Sequence, residues 1–252
     1  LKAILGMKKT LELFGSYILL MRRVLTKPDN RKIFVKQFFT DSEKLVLQSI
    51  QIVAVISVFI GAVIVLQTAS NLENPLIPKM YVGYMTRESL VLEFSSTMIA
   101  LILAGKVGSN ISSEIGSMRI TEQIDAMEMM GINSANYLIL PKIAASVVFN
   151  PLLMLMSFIL GLIGGAIIID ITNIITLGQY IDGIRFAFRP YYIYYSMTKM
   201  AFFSFIITSV SAFYGYTATG GSLGVGRSST KAIVVSSVMI LVFNLIITHL
   251  ML

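Results

Sequence analysis

Leu45–Gln67, LVLQSIQIVAVISVFIGAVIVLQ, runs for 23 residues without a charged side chain. As an α-helix it reaches about 34 Å, enough to cross a hydrocarbon core of about 30 Å. Inside a bilayer the backbone must satisfy its own hydrogen bonds, which a helix does and an open strand does not. The stretch therefore reads as a transmembrane helix, and the chain beyond it repeats the pattern. Further spans fall at about residues 90–109, 137–169, 191–214 and 232–252. The expected fold is an all-α polytopic membrane protein with five transmembrane helices, forming a single domain over residues 1–252. Pro141 and Pro151 lie inside the third span, where either could divide or kink it. Gly161, Gly164 and Gly165 in its second half are spaced for close helix contact.

Composition agrees with a bilayer as solvent. Of 252 residues, 56% are hydrophobic and 13% charged, with a mean hydropathy of +0.80. A soluble domain carries about 25% charged residues. The net charge of +7 would in a soluble chain prompt a search for nucleic acid. Here cytoplasmic loops rich in Lys and Arg account for it, and no nucleic-acid partner is expected. Cysteine is absent, so disulfides and thiolate chemistry are excluded. The lone histidine, His249, leaves no histidine metal cluster and no Ser-His-Asp triad within the chain.

Residues 1–44 precede the first span. Ile4, Leu5, Leu11, Phe14, Ile18 and Met21 recur at mostly three- and four-residue spacing, fringed by Lys2, Lys8, Lys9, Arg22 and Arg23. That pattern suits an amphipathic helix at the inner membrane surface, or one packed on the rest of the protein. No small-residue cleavage site follows it, so it reads as a retained segment and not a removed signal peptide. Pro28-Asp29-Asn30 and the basic, aromatic run to Lys44 form an elbow into the bilayer. Thr68–Ser89, with Asn74-Pro75 and Ile77-Pro78, reads as a loop or short helix, and Asp170–Pro190 as a polar connection.

Charge sets the orientation. With the N-terminus inside, 15 of the 20 Lys and Arg fall on the cytoplasmic side; Lys79, Arg87, Arg185, Arg189 and Lys199 fall outside or near the outer interface. The positive-inside rule then places the C-terminus on the far side.

Two polar stretches share the expected cytoplasmic face. Asn110–Gly131, NISSEIGSMRITEQIDAMEMMG, is too charged to enter the membrane and reads as a surface helix. Ile120, Ile124 and Met127 form its apolar stripe; Glu122, Asp125 and Glu128 form an acidic one, and Gly131 stands as a C-terminal cap. Without a histidine partner the acidic stripe is a partner-docking face or a plain solvated one, and Met127, Met129 and Met130 suit packing against a partner. Gly220–Thr230, GGSLGVGRSST, lacks the spacing of a P-loop. It reads as a flexible turn, a close backbone approach or a subunit-docking element. Within the spans, Glu93 is a functional candidate because an intramembrane carboxylate is costly unless paired or wet; it could also sit at headgroup level.

The stretch EIGSMRITEQIDAMEMMG (Glu114–Gly131), its lead-in LAGKVGSNISS (Leu103–Ser113) and GGSLGVGRSST resemble the two cytoplasmic motifs of the MlaE/YrbE permeases. These are membrane subunits of bacterial MCE-type lipid ATP-binding cassette transporters. The resemblance covers essentially the whole chain. It implies a homodimeric permease in the bacterial inner membrane, a cytoplasmic ATPase dimer that binds ATP and Mg, an MCE-domain oligomer, a small STAS-domain subunit in some systems, and phospholipid cargo. This chain would carry no cofactor and no catalytic site. Glu114–Gly131 would be the coupling helix, with Glu114, Arg119, Glu122, Gln123, Asp125, Glu128 and Gly131 as structural and docking contacts. Gly224, Gly226 and Arg227 would belong to the second cytoplasmic element. Many relatives carry Arg-Glu-Leu-Gly-Pro early in the second span. Here Leu92-Glu93-Phe94-Ser95-Ser96 keeps only the glutamate, so a role resting on that arginine does not carry over.

The expected mechanism is a permease half whose dimer encloses a lipid cavity. Candidate walls are Ile60, Val63, Leu66, Met98 and Val242, with Glu93 nearby. Burial of acyl chain in such a cavity is worth about 0.8 kcal/mol per CH₂. The alternative is a membrane scaffold that anchors an envelope complex without moving lipid. An ion-coupled carrier fits less well, because intramembrane charge is scarce.

Overall fold

The computed structural model describes residues 2–27, 30–72 and 77–252. Pro28-Asp29 of the expected elbow, Asn74-Pro75 of the expected loop, and the side chains of Lys2, Ile4, Leu5, Lys8 and Lys9 lie outside the described residues. Among those described there is no strand, and five helices are long and apolar enough to cross a membrane. The helices in chain order are α1 (Lys2–Val24), α2 (Arg31–Asn71), α3 (Tyr81–Ile120), α4 (Gln123–Met129), α5 (Ser134–Thr172), α6 (Leu177–Arg185), α7 (Tyr191–Tyr216) and α8 (Gly221–Met251). Wide π-type turns interrupt α2 at Glu43–Leu47 and α3 at Leu90–Met98 and Ala104–Gly108.

Each spanning helix outruns its hydropathy limits. Asn30 caps α2, its side-chain oxygen accepting from the amides of Lys32 (3.0 Å) and Ile33 (3.4 Å), so the helix starts in the basic stretch before the first span. Helix α5 runs unbroken for 39 residues through Pro141 and Pro151. Each proline forfeits one backbone donor, and buried neighbours such as Ala145 and Asn150 hold the helix in place.

Two expected elements are redrawn. The surface helix 110–131, and with it the coupling helix 114–131, is not continuous. Its first part is the tail of α3, which ends at Ile120, and α4 begins again at Gln123. The break follows from Glu122, whose φ of 60° is left-handed, and from Thr121, whose hydroxyl donates back to the Ser117 carbonyl at 2.8 Å. The glycine loop is also largely helical. Only Gly220 and Gly221, with φ of +91° and +69°, form the turn, and α8 starts at Gly221, eleven residues before the expected fifth span.

The chain forms two compact units, each assembled from separate pieces of the sequence. The first comprises the chain up to Leu45, Ala104–Ser146 and Phe205–Met239. In it the α3 tail lies close on α7 and α8: a Cβ on Gly215 would meet the Ser112 carbonyl oxygen at 2.7 Å, and one on Gly116 would meet Val225 at 3.1 Å.

The second unit comprises Val46–Leu103, Val147–Ser204 and Ile240–Leu252. The glycine spacing of the third span is used here. A Cβ on Gly164 would come within 2.1 Å of the Val58 carbonyl oxygen, and Gly161 lies against Gly61, where a Cβ on Gly61 would come within 1.8 Å of the Gly161 carbonyl oxygen. Helix α6, opened by a capping box between Thr176 and Gln179, packs on the first turns of α3. Val65, Val82, Ile169, Ile175 and Tyr180 form the cluster between them. Arg87, placed by its charge at the outer interface, is 1% exposed. It donates to the carbonyls of Ile184 (2.7 Å) and Phe186 (2.8 Å), pairs with Glu88, and lies over the rings of Tyr84 and Phe188.

Candidate functional site

In the first unit the two polar motifs come together. Gly116, within the first motif, is covered by Val225 of the second, and Val225 is buried. Gly224, Gly226 and Arg227 stand on the first turns of α8, with Gly226 and Arg227 exposed. Beyond the α3 tail, Ile124 anchors α4 with no exposure, while Met129 and Met130 project at 89% and 69%. Arg119 spans the break to Asp125 at 2.5 Å, and Gln123 donates to the Thr121 hydroxyl at 3.0 Å. Gly131, with φ +77°, closes α4 through its amide to the Glu128 carbonyl at 2.9 Å.

The three acidic positions do not form one equivalent face. All three are exposed; among the described residues Glu122 makes no side-chain hydrogen bond or ion pair, and Asp125 pairs only with Arg119 on the neighbouring turn. Glu128 instead accepts from Arg23 (2.7 Å), Tyr216 (2.8 Å) and Ser134 (2.9 Å). The Arg23 guanidinium, followed by the Tyr216 hydroxyl, holds its carboxyl down at about 2. Arg23 belongs to α1, so this carboxylate ties the N-terminal helix to α4. Asn136 completes the tie, its amide donating to the Val24 and Thr26 carbonyls, both at 2.7 Å. Leu20, Met21 and Val24 are buried while Leu11, Phe14 and Ile18 are exposed, so α1 has both the packed face and the free apolar face that its periodicity allowed.

Glu114 points elsewhere. Its carboxylate meets the Lys142 ammonium at 2.9 Å, and the same ammonium reaches Asp41 at 2.8 Å. Lys142 and Asp41 are 4% and 8% exposed. Neither was singled out from sequence, where Asp41 reads as a charge before the first span and Lys142 as a cytoplasmic-side charge at the start of the third.

In the second unit the intramembrane carboxylate has a partner that sequence did not assign. Lys199 of α7, placed by charge counting near the outer interface, has no exposure and pairs with Glu93 at 2.9 Å. Its ammonium also donates to the Tyr195 hydroxyl (2.9 Å), the Leu92 carbonyl (3.2 Å) and the Thr248 hydroxyl (3.2 Å). Glu93 accepts further from Thr97 (3.0 Å) and Asn244 (3.1 Å). The cation facing this glutamate therefore comes from α7, where the sequence lacks the arginine beside it. The signal was present: Lys199 is the lone charge within Tyr191–Tyr216, and a lone intramembrane charge implies a partner. Glu93 sits in the nine-residue π segment of α3, a distortion that recurs at functional positions.

The other expected cavity residues are scattered over the second unit. Val63, Met98 and Val242 are exposed at 58%, 41% and 49%, on α2, α3 and α8. Ile60 packs against the cluster of Ile64, Leu90, Val91 and Phe158, and Leu66 is half-buried. None of them borders either of two open cavities: one of about 180 Å³ in the first unit, lined by Asn30, Phe34, Asn136 and Pro141, and one of about 530 Å³ in the second, lined by Lys79, Asp170, Asn173 and Gln179.

Five long apolar helices, with a charge pair within them and two polar motifs packed on each other, define a multi-pass helical membrane protein. The family model described as Permease MlaE matches residues 38–250, and the chain belongs to that family. It is similar to a probable ABC transporter permease protein of Rickettsia bellii, 33% identical over 202 residues, covering 80% of this chain and 78% of the relative. It is also similar to the intermembrane phospholipid transport system permease protein MlaE of Haemophilus influenzae, at 29% identity over 237 residues and 92% and 89% coverage. A third relative is the chloroplastic protein trigalactosyldiacylglycerol 1 of Arabidopsis thaliana, 35% identical over 156 residues, 62% of this chain and 45% of that one.

Proposed function

We propose that the chain is the permease subunit of an ATP-driven transporter that moves phospholipids or related lipids between the inner membrane and the outer envelope. The observation that carries this is the packing of the two polar motifs on each other, with α4 and its exposed Met129 and Met130 at the tip. A helix too short and too polar to span, held by ion pairs at its base, is suited to receive a moving partner. The partner would be a cytoplasmic ATPase dimer carrying ATP and Mg. A second copy of this chain would complete the lipid path, and an MCE-domain oligomer, joined in some systems by a STAS-domain subunit, would complete the assembly. The N-terminus lies in the cytoplasm and the C-terminus in the periplasm on the positive-inside rule.

Lipid would be sheltered by exposed apolar positions such as Val63, Met98 and Val242, and the Glu93–Lys199 pair would give the path one polar station. Loose apolar contact suits a carrier that must release its cargo. The test is reconstitution with ATPase and MCE partners in vesicles holding labelled phospholipid. ATP-dependent transfer is expected; absent or ATP-independent transfer in an assembly that hydrolyses ATP refutes the proposal.

A further inference from the structure

The cluster of Asp41, Glu114 and Lys142 serves neither the α4 tip nor the Glu93 pair, yet it places three charges where three long helices meet within the first unit. Asp41 stands on α2, Glu114 six residues before the end of α3, and Lys142 eight residues after the start of α5. The chain from Glu114 to Lys142 is a hairpin that carries α4 at its far end. Lys142 therefore bonds the outgoing arm to the return arm across 28 residues, and bonds both to α2.

The three groups are not equivalent. The Lys142 and Asp41 side chains are 5% and 11% exposed, whereas that of Glu114 is 36% exposed. Two carboxylates share one ammonium, so the cluster carries one net negative charge. If Glu114 swings into water, a neutral Lys142–Asp41 pair stays behind. If Lys142 leaves, Asp41 stays buried without its counter-charge, which is strongly unfavourable, and the Asp41 side chain, 11% exposed, lacks the access to water that Glu114 has. One contact can open and the other cannot.

From this asymmetry we infer that Lys142 is a positioning residue that locks the α4 hairpin to α2, with Glu114 as its releasable arm. A displacement of α4 reaches α2 while Glu114 is bonded and is lost when it is not. The role goes beyond the proposed lipid transport and, where lipid is followed, rests on that reading.

Two measurements test it. The chain has no native cysteine, so spin labels at Lys36→Cys and Met129→Cys report the distance from α2 to the α4 tip without reference to lipid. One narrow distribution is expected, broadened by Glu114→Gln; a distribution equally narrow in the variant overturns the inference. In the reconstituted assembly, Glu114→Gln is expected to lower the lipid moved per ATP hydrolysed about fivefold or more, the usual scale of coupling between sites. A ratio unchanged by Glu114→Gln overturns it too. Lys142→Met alone strands two carboxylates and is expected to fold poorly. The triple variant Asp41→Asn, Glu114→Gln, Lys142→Met removes every charge and is expected to fold with the ratio still low; a normal ratio there reduces the cluster to a structural one. If the wild type moves no lipid while the label result holds, the proposed function fails and the lock stands.

Discussion

Replacing Glu93 by Gln keeps the shape of the side chain and deletes the charge that faces Lys199. In the native chain Lys199 has no exposure, and Glu93 is its only carboxylate within 2.9 Å among the described residues. The variant leaves a buried ammonium with the Tyr195 and Thr248 hydroxyls and the Leu92 carbonyl. Breaking a buried pair by removing one partner costs about 3–5 kcal/mol. Three acceptors remain, and the Glu93 side chain is already 40% exposed. The expected loss therefore falls lower, at about 2–3 kcal/mol. For a chain of this size that is a fall in Tm of about 4–12 °C. The assay is thermal unfolding of the purified chain in mild detergent, followed by loss of the monodisperse species. Glu93→Gln combined with Lys199→Met removes the stranded charge and is expected to recover most of the loss, because a neutral replacement of a buried pair is close to isoenergetic. A single variant within 1 °C of wild type (about 0.5 kcal/mol or less), or a double variant no better than the single, refutes the assignment of Lys199 as a desolvated cation held by Glu93.

The Glu128 carboxyl is held down at about 2, well below the ordinary carboxylate range, because its charged form is bonded by Arg23 and Tyr216. A depressed carboxyl contributes stability above about 4.5 that is lost as pH falls towards 2. Hydrogen exchange at Tyr17–Thr26 should therefore rise across that window and lose the dependence in Glu128→Gln; both groups are largely exposed, so the effect is modest. Gly164→Val places a Cβ about 2.1 Å from the Val58 carbonyl oxygen and cannot be relieved by a rotamer. It should cost about 1–3 kcal/mol or more in thermal unfolding, whereas Gly105→Ala, where a Cβ meets nothing within 4 Å, should cost under about 1 kcal/mol. Asn136→Ala removes both 2.7 Å bonds to the end of α1, and limited proteolysis should then cut near Thr26 several times faster, in line with a loss of about 1–3 kcal/mol.

Much of the architecture was legible because hydropathy reports where a chain can shed water. All five spans, the amphipathic α1 and the Gly161/Gly164 contact follow from that property or from helical spacing. Helix ends were not legible in the same way. Charge marks where a segment meets water, but a helix ends where its backbone bonds end, and Asn30 and Gly220 set those points well outside the apolar limits. The break at Thr121–Glu122 was hidden because neither residue is glycine or proline; a side-chain bond to Ser117 and one left-handed residue end the helix.

The charged residues show the other limit. From sequence, Arg87, Lys142 and Lys199 counted as loop or interfacial cations, and the structure buries all three at 4% exposure or less. What decides their state is a partner on another helix: Glu93 for Lys199 across 106 residues, Asp41 for Lys142 across 101. A single sequence carries no record of those distances. It does carry the rule that a charge inside an apolar run must find compensation, and that rule applied to Lys199 would have pointed to Glu93. The two pairs are also built differently. Glu93–Lys199 closes within the spans with hydroxyls filling the remaining positions, whereas Lys142 keeps a second carboxylate that is half in water. The first arrangement stabilises one state of the spans. The second leaves Glu114, at 36% exposure, the one member of its cluster with ready access to water, which is why the proposed lock places the release there.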